Sequence, residues 1–290
     1  KIYDLKQYTP LHNTAEADVI KAFMKVLPGV PEVAVFDTSF HQTLDPVHYL
    51  YSLPYKYYEK YGARKYGAHG TSVRYVSQKA AEIMKRDLKD LKLIVCHLGS
   101  GASVTAVKDG KSFDTSMGFS PMAGITMSSR SGDVDPSLLA FVMKKENLDA
   151  DQMLKVLNNE SGLLGISGIS PDMRDLRGDM TKLEGQKKKR ADLARNIFIN
   201  RIIRYIGAYT LEMRGLDGIA FTAGVGEHDF GVREHVMDSL ELLGLKPDSA
   251  ANKENATIIT KPDSTIVGMV IPTNEELMIE RDVVRVAGLK

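Results

Sequence analysis

Leu91-Lys92-Leu93-Ile94-Val95-Cys96-His97-Leu98-Gly99-Ser100-Gly101-Ala102-Ser103-Val104-Thr105-Ala106-Val107-Lys108-Asp109-Gly110-Lys111-Ser112-Phe113-Asp114 is where this chain changes its hydrophobic period from helical to two. Leu91 to Leu98 reads as one strand, Ala102 to Lys108 as a second, and Lys111 to Asp114 as a third. Gly99-Ser100-Gly101 and Asp109-Gly110 are the tight turns between them, which makes a β-hairpin meander. Backbone N–H groups of His97-Leu98-Gly99-Ser100-Gly101 can close around a phosphate as a nest, with glycines letting the ligand approach.

Outward from the meander, strands alternate with helices. Upstream, Ser72 to about Leu88 places Val76, Ala80, Ile83, Met84 and Leu88 at helical spacing, and Thr14 to Leu27 does so less regularly after a polar turn at Pro10-Leu11-His12-Asn13. The apolar run Val33 to Phe36 stops on Asp37, as a buried parallel strand does when it delivers a carboxylate to the mouth of an α/β sheet. An aspartate in that position also serves as a turn former or helix cap. His69, flanked by glycine and followed by Thr-Ser and a helix, is expected to face an anion at a helix N-terminus.

Downstream, Thr115 to Asp133 is a long aperiodic loop, of the kind that is usually functional or disordered. Helices are expected over Pro136 to Glu146 and Asp149 to Asn158, and a glycine- and serine-rich loop over Ser161 to Ser170. The longest helix is expected from about Lys187 to Met213, burying Leu193, Ile197, Ile202, Ile206, Tyr209 and Met213. Gly218 to Phe221 is a strand, Thr222 to His228 a glycine loop and Phe230 to Leu243 a helix. Strands at Ala256 to Thr260 and Thr265 to Ile271 precede a last helix beginning at Pro272. The fold class is α/β with phosphate-binding turns.

The composition is that of a globular chain of 290 residues, 43% hydrophobic, long enough for two domains. With 38 Lys and Arg against 37 Asp and Glu there is no net field to attract nucleic acid or an anionic membrane. No apolar stretch approaches the roughly 20 residues of a membrane span. The single cysteine, Cys96, lies in an apolar run and suits a reducing compartment, so the cytoplasm is expected. The tyrosines between Tyr49 and Tyr61, which pair a large apolar body with a polar tip, are expected to pack at a domain interface.

Several of these stretches together resemble the acetate kinase (acetokinase) family, within the acetate and sugar kinase, Hsp70 and actin superfamily. The words are Val35-Phe36-Asp37-Thr38-Ser39-Phe40-His41 and Arg64-Lys65-Tyr66-Gly67-Ala68-His69-Gly70-Thr71-Ser72, followed by the two glycine loops, Asp172-Met173-Arg174 and Ser129-Arg130-Ser131-Gly132-Asp133. Ile271-Pro272-Thr273-Asn274-Glu275-Glu276-Leu277 closes the set in the family's order. The family usually has Phe at Ala68, His at Val73, Asn at Ser100 and Asn at His228.

The resemblance implies a two-domain actin-like (ribonuclease H-like) kinase fold with its first domain incomplete. Residues 1–41 and 276–290 would be the remnant of the first domain, and 42–275 the second. It implies ATP-dependent phosphorylation of acetate to acetyl phosphate, with Asp37, His69 and Arg130 catalytic and His12 binding substrate. His97, Leu98, Gly99, Ser100, Gly101, Asp172, Met173, Arg174, Gly224, Val225, Gly226, Glu227 and His228 would bind nucleotide. Glu275 and Asp37 would hold Mg²⁺, or Mn²⁺ in its place. A homodimer through the second domain is expected. A propionate or butyrate kinase, or a non-catalytic nucleotide-binding fragment, are the alternatives. Lys1-Ile2-Tyr3-Asp4-Leu5 reads as a cut end, and the family's N-terminal phosphate loop, early lysine and second arginine are not found before His12, so this chain alone is expected to show little turnover.

Overall fold

A computed structural model describes residues 2–5, 10–178 and 182–288, except for the side chains of residue 5 and residues 10–13. Helices α1 (Pro10–Val26), α2 (Pro46–Tyr49), α3 (Lys56–Tyr61) and α4 (Gly70–Met84) precede the meander β1 (Lys92–Leu98), β2 (Ala102–Lys108) and β3 (Lys111–Thr115). Then follow α5 (Pro136–Glu146), α6 (Ala150–Lys155), a π-helical turn at Val156–Glu160, α7 (Gly162–Ser167) and the long α8 (Gly185–Met213). The chain closes with β4 (Gly218–Thr222), α9 (Ala223–His228), α10 (Phe230–Asp238), α11 (Ser249–Lys253), β5 (Val267–Val270) and α12 (Glu275–Ala287).

The five strands form one sheet of order β3-β2-β1-β4-β5. β1, β2 and β3 are antiparallel neighbours, with Phe113 of β3 an extra, bulged residue opposite Ala106 and Val107. β4 runs parallel to β1 from Leu93↔Gly218 to His97↔Thr222, and β5 parallel to β4. An antiparallel meander followed by parallel strands on the far side of β1 is the ribonuclease H-like sheet. Because β1 is covered on both faces, its run Leu93 to Leu98 is wholly buried, and successive side chains serve opposite cores. Ile94, Cys96 and Leu98 meet the α8 side with Phe198, Ile202 and Ile206. Leu93 and Val95 meet the α4 side with Val73, Val76 and Ala80.

Four sequence expectations change. The run Val33 to Phe36 has no ladder partner among the described residues: it is extended, and Phe36 is 53% exposed, so it is not the buried strand expected of it. A strand is defined by a neighbour, and none of the five strands pairs with this run. The loops expected at 161–170 and 222–228 each carry a short helix, α7 and α9, because their glycines serve helix ends and close packing rather than open turns. Residues 256–260 supply only isolated bridges, Ile258↔Met269 and Pro247↔Thr260. Leu193 is 51% exposed, since the buried stripe of α8 runs through Ala191, Ala194, Phe198, Ile202, Ile206, Tyr209 and Met213, a phase that turns Leu193 outward.

Candidate functional site

The turn before α4 is held from several sides. Asp37 Oδ2 accepts from the His69 backbone N–H at 2.5 Å and Oδ1 from that of Thr71 at 3.2 Å, while its carbonyl accepts from Gly70 at 2.8 Å. Asp37 is therefore the cap of α4, satisfying N–H groups that the helix leaves orphaned. It keeps further lone pairs on both carboxylate oxygens. Behind the turn, the buried His41 has Nε2 2.8 Å from the Ala68 carbonyl and Nδ1 2.8 Å from Ser112 Oγ. A carbonyl can only accept, so Nε2 carries the proton and the Ser112 hydroxyl donates to Nδ1. These contacts hold His69 in the left-handed region at φ 60°, which a residue with a Cβ adopts only where its surroundings over-determine it.

His69 Nδ1 lies 2.9 Å from Ser103 Oγ on β2, and its ring stacks on His97 with centroids 4.0 Å apart. Burial, then the Arg130 guanidinium, then His41 push the His69 imidazole down to about 4. Burial, then His69, push His97 down to about 3, against a small opposing pull from Asp37. Both rings are neutral at physiological pH. His97 Nδ1 lies 2.8 Å from Ser72 Oγ, which is itself 2.8 Å from Thr273 Oγ1. This chain of groups ties the strand β1, the first turn of α4 and the lead into α12 together, and Glu275, at the start of α12, feels the charge of Asp37. Burial first, then the Asp37 and Glu276 carboxylates, raise Glu275 above the usual carboxylate range.

Arg130 approaches from the long loop. Its half-buried guanidinium donates to the Pro121 carbonyl at 3.1 Å, and burial lowers its proton affinity. A Cβ placed on Gly101 would stand 3.4 Å from both Arg130 Nη1 and His69 Nε2, so these two groups converge on the same turn. The arginine loop is clamped from behind by the N-terminus of α7. Ser161, Leu163 and Leu164 N–H groups donate to the carbonyls of Ser129, Met127 and Ser128 at 3.0, 2.9 and 3.0 Å.

Next to this turn opens a cleft of about 580 Å³. It is lined by Gly99 and Ser100, by Asp172, Met173 and Arg174, and by Gly224, Val225 and His228, so parts of the three separate segments expected to bind nucleotide share one cavity. Ser128, Pro171, Arg177 and Asp229 complete the wall. Arg174 is folded onto Asp172, its Nη2 2.6 Å from Oδ2, and Asp172 caps the short 3₁₀ turn that follows. Five residues expected here, His97, Leu98, Gly101, Gly226 and Glu227, do not line the cavity. Glu227 Oε1 accepts from the Ala223 N–H at 2.8 Å, closing the strand-to-helix corner. Gly226 faces the sheet, where a Cβ would meet Phe221 at 3.3 Å and the Cys96 carbonyl at 3.5 Å, so its small size serves packing rather than entry of a nucleoside. Gly224 has nothing within 4 Å of that position. His97 and Gly101 back the phosphate turn, and Leu98 is fully buried under it. The His12 side chain lies outside the described residues.

The residues that sequence reading missed are Ser72, Ser103, Ser128, Thr273, Arg177 and His41. Ser72 and Thr273 stood inside the family words, and His41 closes the first of them. Their partners are distant in the chain, and only the fold reveals those. A second group, His48, Asp114 and Glu212, could meet an ion in principle, but the Lys65 ammonium already pairs with Asp114.

A ribonuclease H-like sheet carrying a phosphate-type turn at the β1–β2 corner, with a cation and a neutral imidazole converging on it, defines the class: an actin-like kinase. The comparisons with known proteins are specific. The family model described as the acetokinase family matches residues 1–281, and the chain belongs to that family. It is 56% identical to an acetate kinase of Lacticaseibacillus paracasei over 98% of this chain and 71% of the relative. It is 54% identical to an acetate kinase of Bacillus subtilis over 99% of this chain and 72% of that one. Among solved structures, Porphyromonas gingivalis acetate kinase superposes with a TM-score of 0.93 at 42% identity, covering 99% of this chain and 71% of that chain. A Francisella tularensis propionate kinase gives 0.89 at 41%, covering 96% and 70%.

Proposed function

We propose that this chain carries the phosphoryl-transfer site of an acetate kinase, in which ATP and acetate give ADP and acetyl phosphate reversibly. The observation that carries the reading is the meeting of Arg130 and His69 at Gly101, on the rim of a cleft built from the three nucleotide segments. A carboxylate is already a nucleophile at neutral pH, so the protein has to align it and offset charge on the transferring group. Arg130 offers a fixed positive fork for phosphoryl or carboxylate oxygens. His69, neutral, offers its Nε2 as a hydrogen-bond donor when Ser103 donates to Nδ1. Removing one donor of this kind typically costs about 3 to 4 kcal/mol of barrier.

Burial first, then the Asp37 and Glu276 carboxylates, raise Glu275, and a hard cation such as Mg²⁺ would relieve the carboxylate–carboxylate part of that. When bound, Mg²⁺ neutralises phosphate charge; Asp37 and Glu275 would hold it, directly or through water. His12 would contribute to acetate binding.

The assignment of 1–41 and 276–290 to a first domain and 42–275 to a second belongs to the same reading. So does a homodimer through the larger domain, supported by Leu138 and Phe141 of α5, 52% and 58% exposed, and tested by light scattering. The buried thiol of Cys96 supports a cytoplasmic setting. Propionate is the second acyl reading, favoured by the near-equal likeness to the propionate kinase. ATP-dependent hydroxamate formation with acetate, propionate and butyrate, beside ADP binding by calorimetry, tests both: a chain that neither binds ADP nor forms product from any acid refutes the kinase reading, and the largest kcat/KM names the acid.

A further inference from the structure

Among the described residues, Arg233, on α10, is the largest side chain fully withdrawn from solvent. A buried charge is usually paired with an opposite one, yet no ion pair joins Arg233 to a carboxylate among the described residues. Asp229 is near enough to offset part of the burial, which brings the guanidinium down to about 10. The Asp229 oxygens, however, are taken by Arg195 Nη1 at 3.2 Å and the Val232 N–H at 3.1 Å. The Arg233 fork donates instead to uncharged oxygens: Nε to Asn252 Oδ1 at 2.7 Å, Nη2 to the Asn252 carbonyl at 2.7 Å and to Asn255 Oδ1 at 2.6 Å, and Nη1 to the Gly226 carbonyl at 2.9 Å. Asn252 is aimed by its own Nδ2, which donates to the Phe230 carbonyl at 2.9 Å.

The Gly226 contact gives this arrangement its meaning. α9 is only six residues long, and its C-terminal carbonyls have no intrahelical partners. Val225 finds the Asp229 N–H at 2.9 Å; Gly226 finds Arg233. A cation at that end also suits the helix dipole. At the other end Glu227 closes onto Ala223, and beneath, Gly226 rests on β1 and β4. The free side of α9 is Gly224, Val225 and His228, one wall of the cleft.

We propose that Arg233 is a positioning residue of the nucleotide cleft: by fastening the Gly226 carbonyl to two asparagines of the α11 region, it sets where α9 stands, without touching the ligand. The inference rests on the reading of the cleft as the nucleotide site. A lysine keeps the charge and much of the stem but cannot reach four oxygens in a plane.

The test is ADP binding by calorimetry with this chain, beside hydrogen exchange. The unaltered chain is measured first; no binding there brings down the nucleotide reading of the cleft and this inference with it. Arg233→Lys is expected to weaken the ADP Kd roughly tenfold or more, the effect of misplacing a binding wall by about an ångström. Amide exchange should quicken across α9 and stay unchanged across α4. An ADP Kd within twofold of the unaltered chain overturns the inference, even if Tm falls, because that is the result of a purely structural arginine. If Arg233→Lys does not fold, Asn255→Gly decides. Asn255 sits at φ 55°, which glycine accepts, so only one acceptor of the fork is lost. A weakening of about threefold is expected, and an unchanged Kd overturns the inference.

Discussion

Gly162 offers a direct test of how the arginine loop is held. It opens α7 at φ 60°, and a Cβ there would overlap the Met127 carbonyl oxygen and lie 2.7 Å from that of Arg130. Both are backbone atoms that no rotamer change can move aside. Gly162→Ala therefore meets a left-handed cost of about 1 to 2 kcal/mol. It also pushes the loop off the α7 N-terminus, where three hydrogen bonds of about 1 kcal/mol each hold it. The total is about 4 to 5 kcal/mol, read as a lower urea midpoint with an unchanged slope. Moving Arg130 by about an ångström should lower kcat on the order of 100-fold, read in the hydroxamate assay, with a smaller change in ADP affinity. Gly178→Ala is the control, since nothing lies within 4 Å of its Cβ position. A Gly162→Ala protein with the midpoint and turnover of the unaltered chain would refute the clamp.

Arg130→Ala should reduce kcat by about 100-fold or more while ADP binding by calorimetry stays within a few-fold; near-normal turnover would remove Arg130 from the chemistry. Asp37→Asn should lower stability by about 1 kcal/mol through the weakened α4 cap and raise the Mg²⁺ concentration needed for half-maximal activity, so an unchanged Mg²⁺ profile would leave Asp37 as a cap alone. Gly224→Ala should leave stability unchanged or raise it by up to about 1 kcal/mol, because alanine favours the helix, yet narrow the cleft and weaken ADP; equal ADP affinity would place the nucleoside elsewhere. Burial pushes the Cys96 thiol far above its ordinary value, so a thiol reagent at pH 8 should react only after denaturant is added, and prompt reaction of the native chain would contradict the packing of β1.

What the sequence made legible was local. Alternation over Leu91 to Asp114 gave three strands and their turns, because a meander closes through contacts between neighbours in the chain. Helical periodicity located α4 and α8 for the same reason. It misphased Leu193, since a helix of 29 residues shows apolar side chains on more than one face and only packing selects the buried stripe. Val33 to Phe36 has strand composition, yet hydrogen-bond pairing is a property of two segments and cannot be read from one. In the site, Asp37 and His69 stood out as residue types at turns. That Asp37 holds the His69 turn by its N–H groups, that Ser72 bridges His97 to Thr273, and that Gly226 packs while Gly224 opens a cavity all depend on residues distant in sequence.

The strand order also bears on how the molecule assembles. β1, β2 and β3 pair through turns of a few residues and can form early, whereas Leu93 meets Gly218 only after everything from α5 to α8 has been placed. Closing so long a loop costs more entropy than closing the hairpin turns, so the β1–β4 pairing is expected to form after the meander. One part of the cleft lining, Gly99 and Ser100, belongs to the meander; another, Gly224 and Val225, follows β4. On the reading of the cleft as the nucleotide site, a nucleotide is gripped only once the β1–β4 junction has formed. Bound ligand should hold that late junction shut, slowing unfolding while leaving the early collapse untouched.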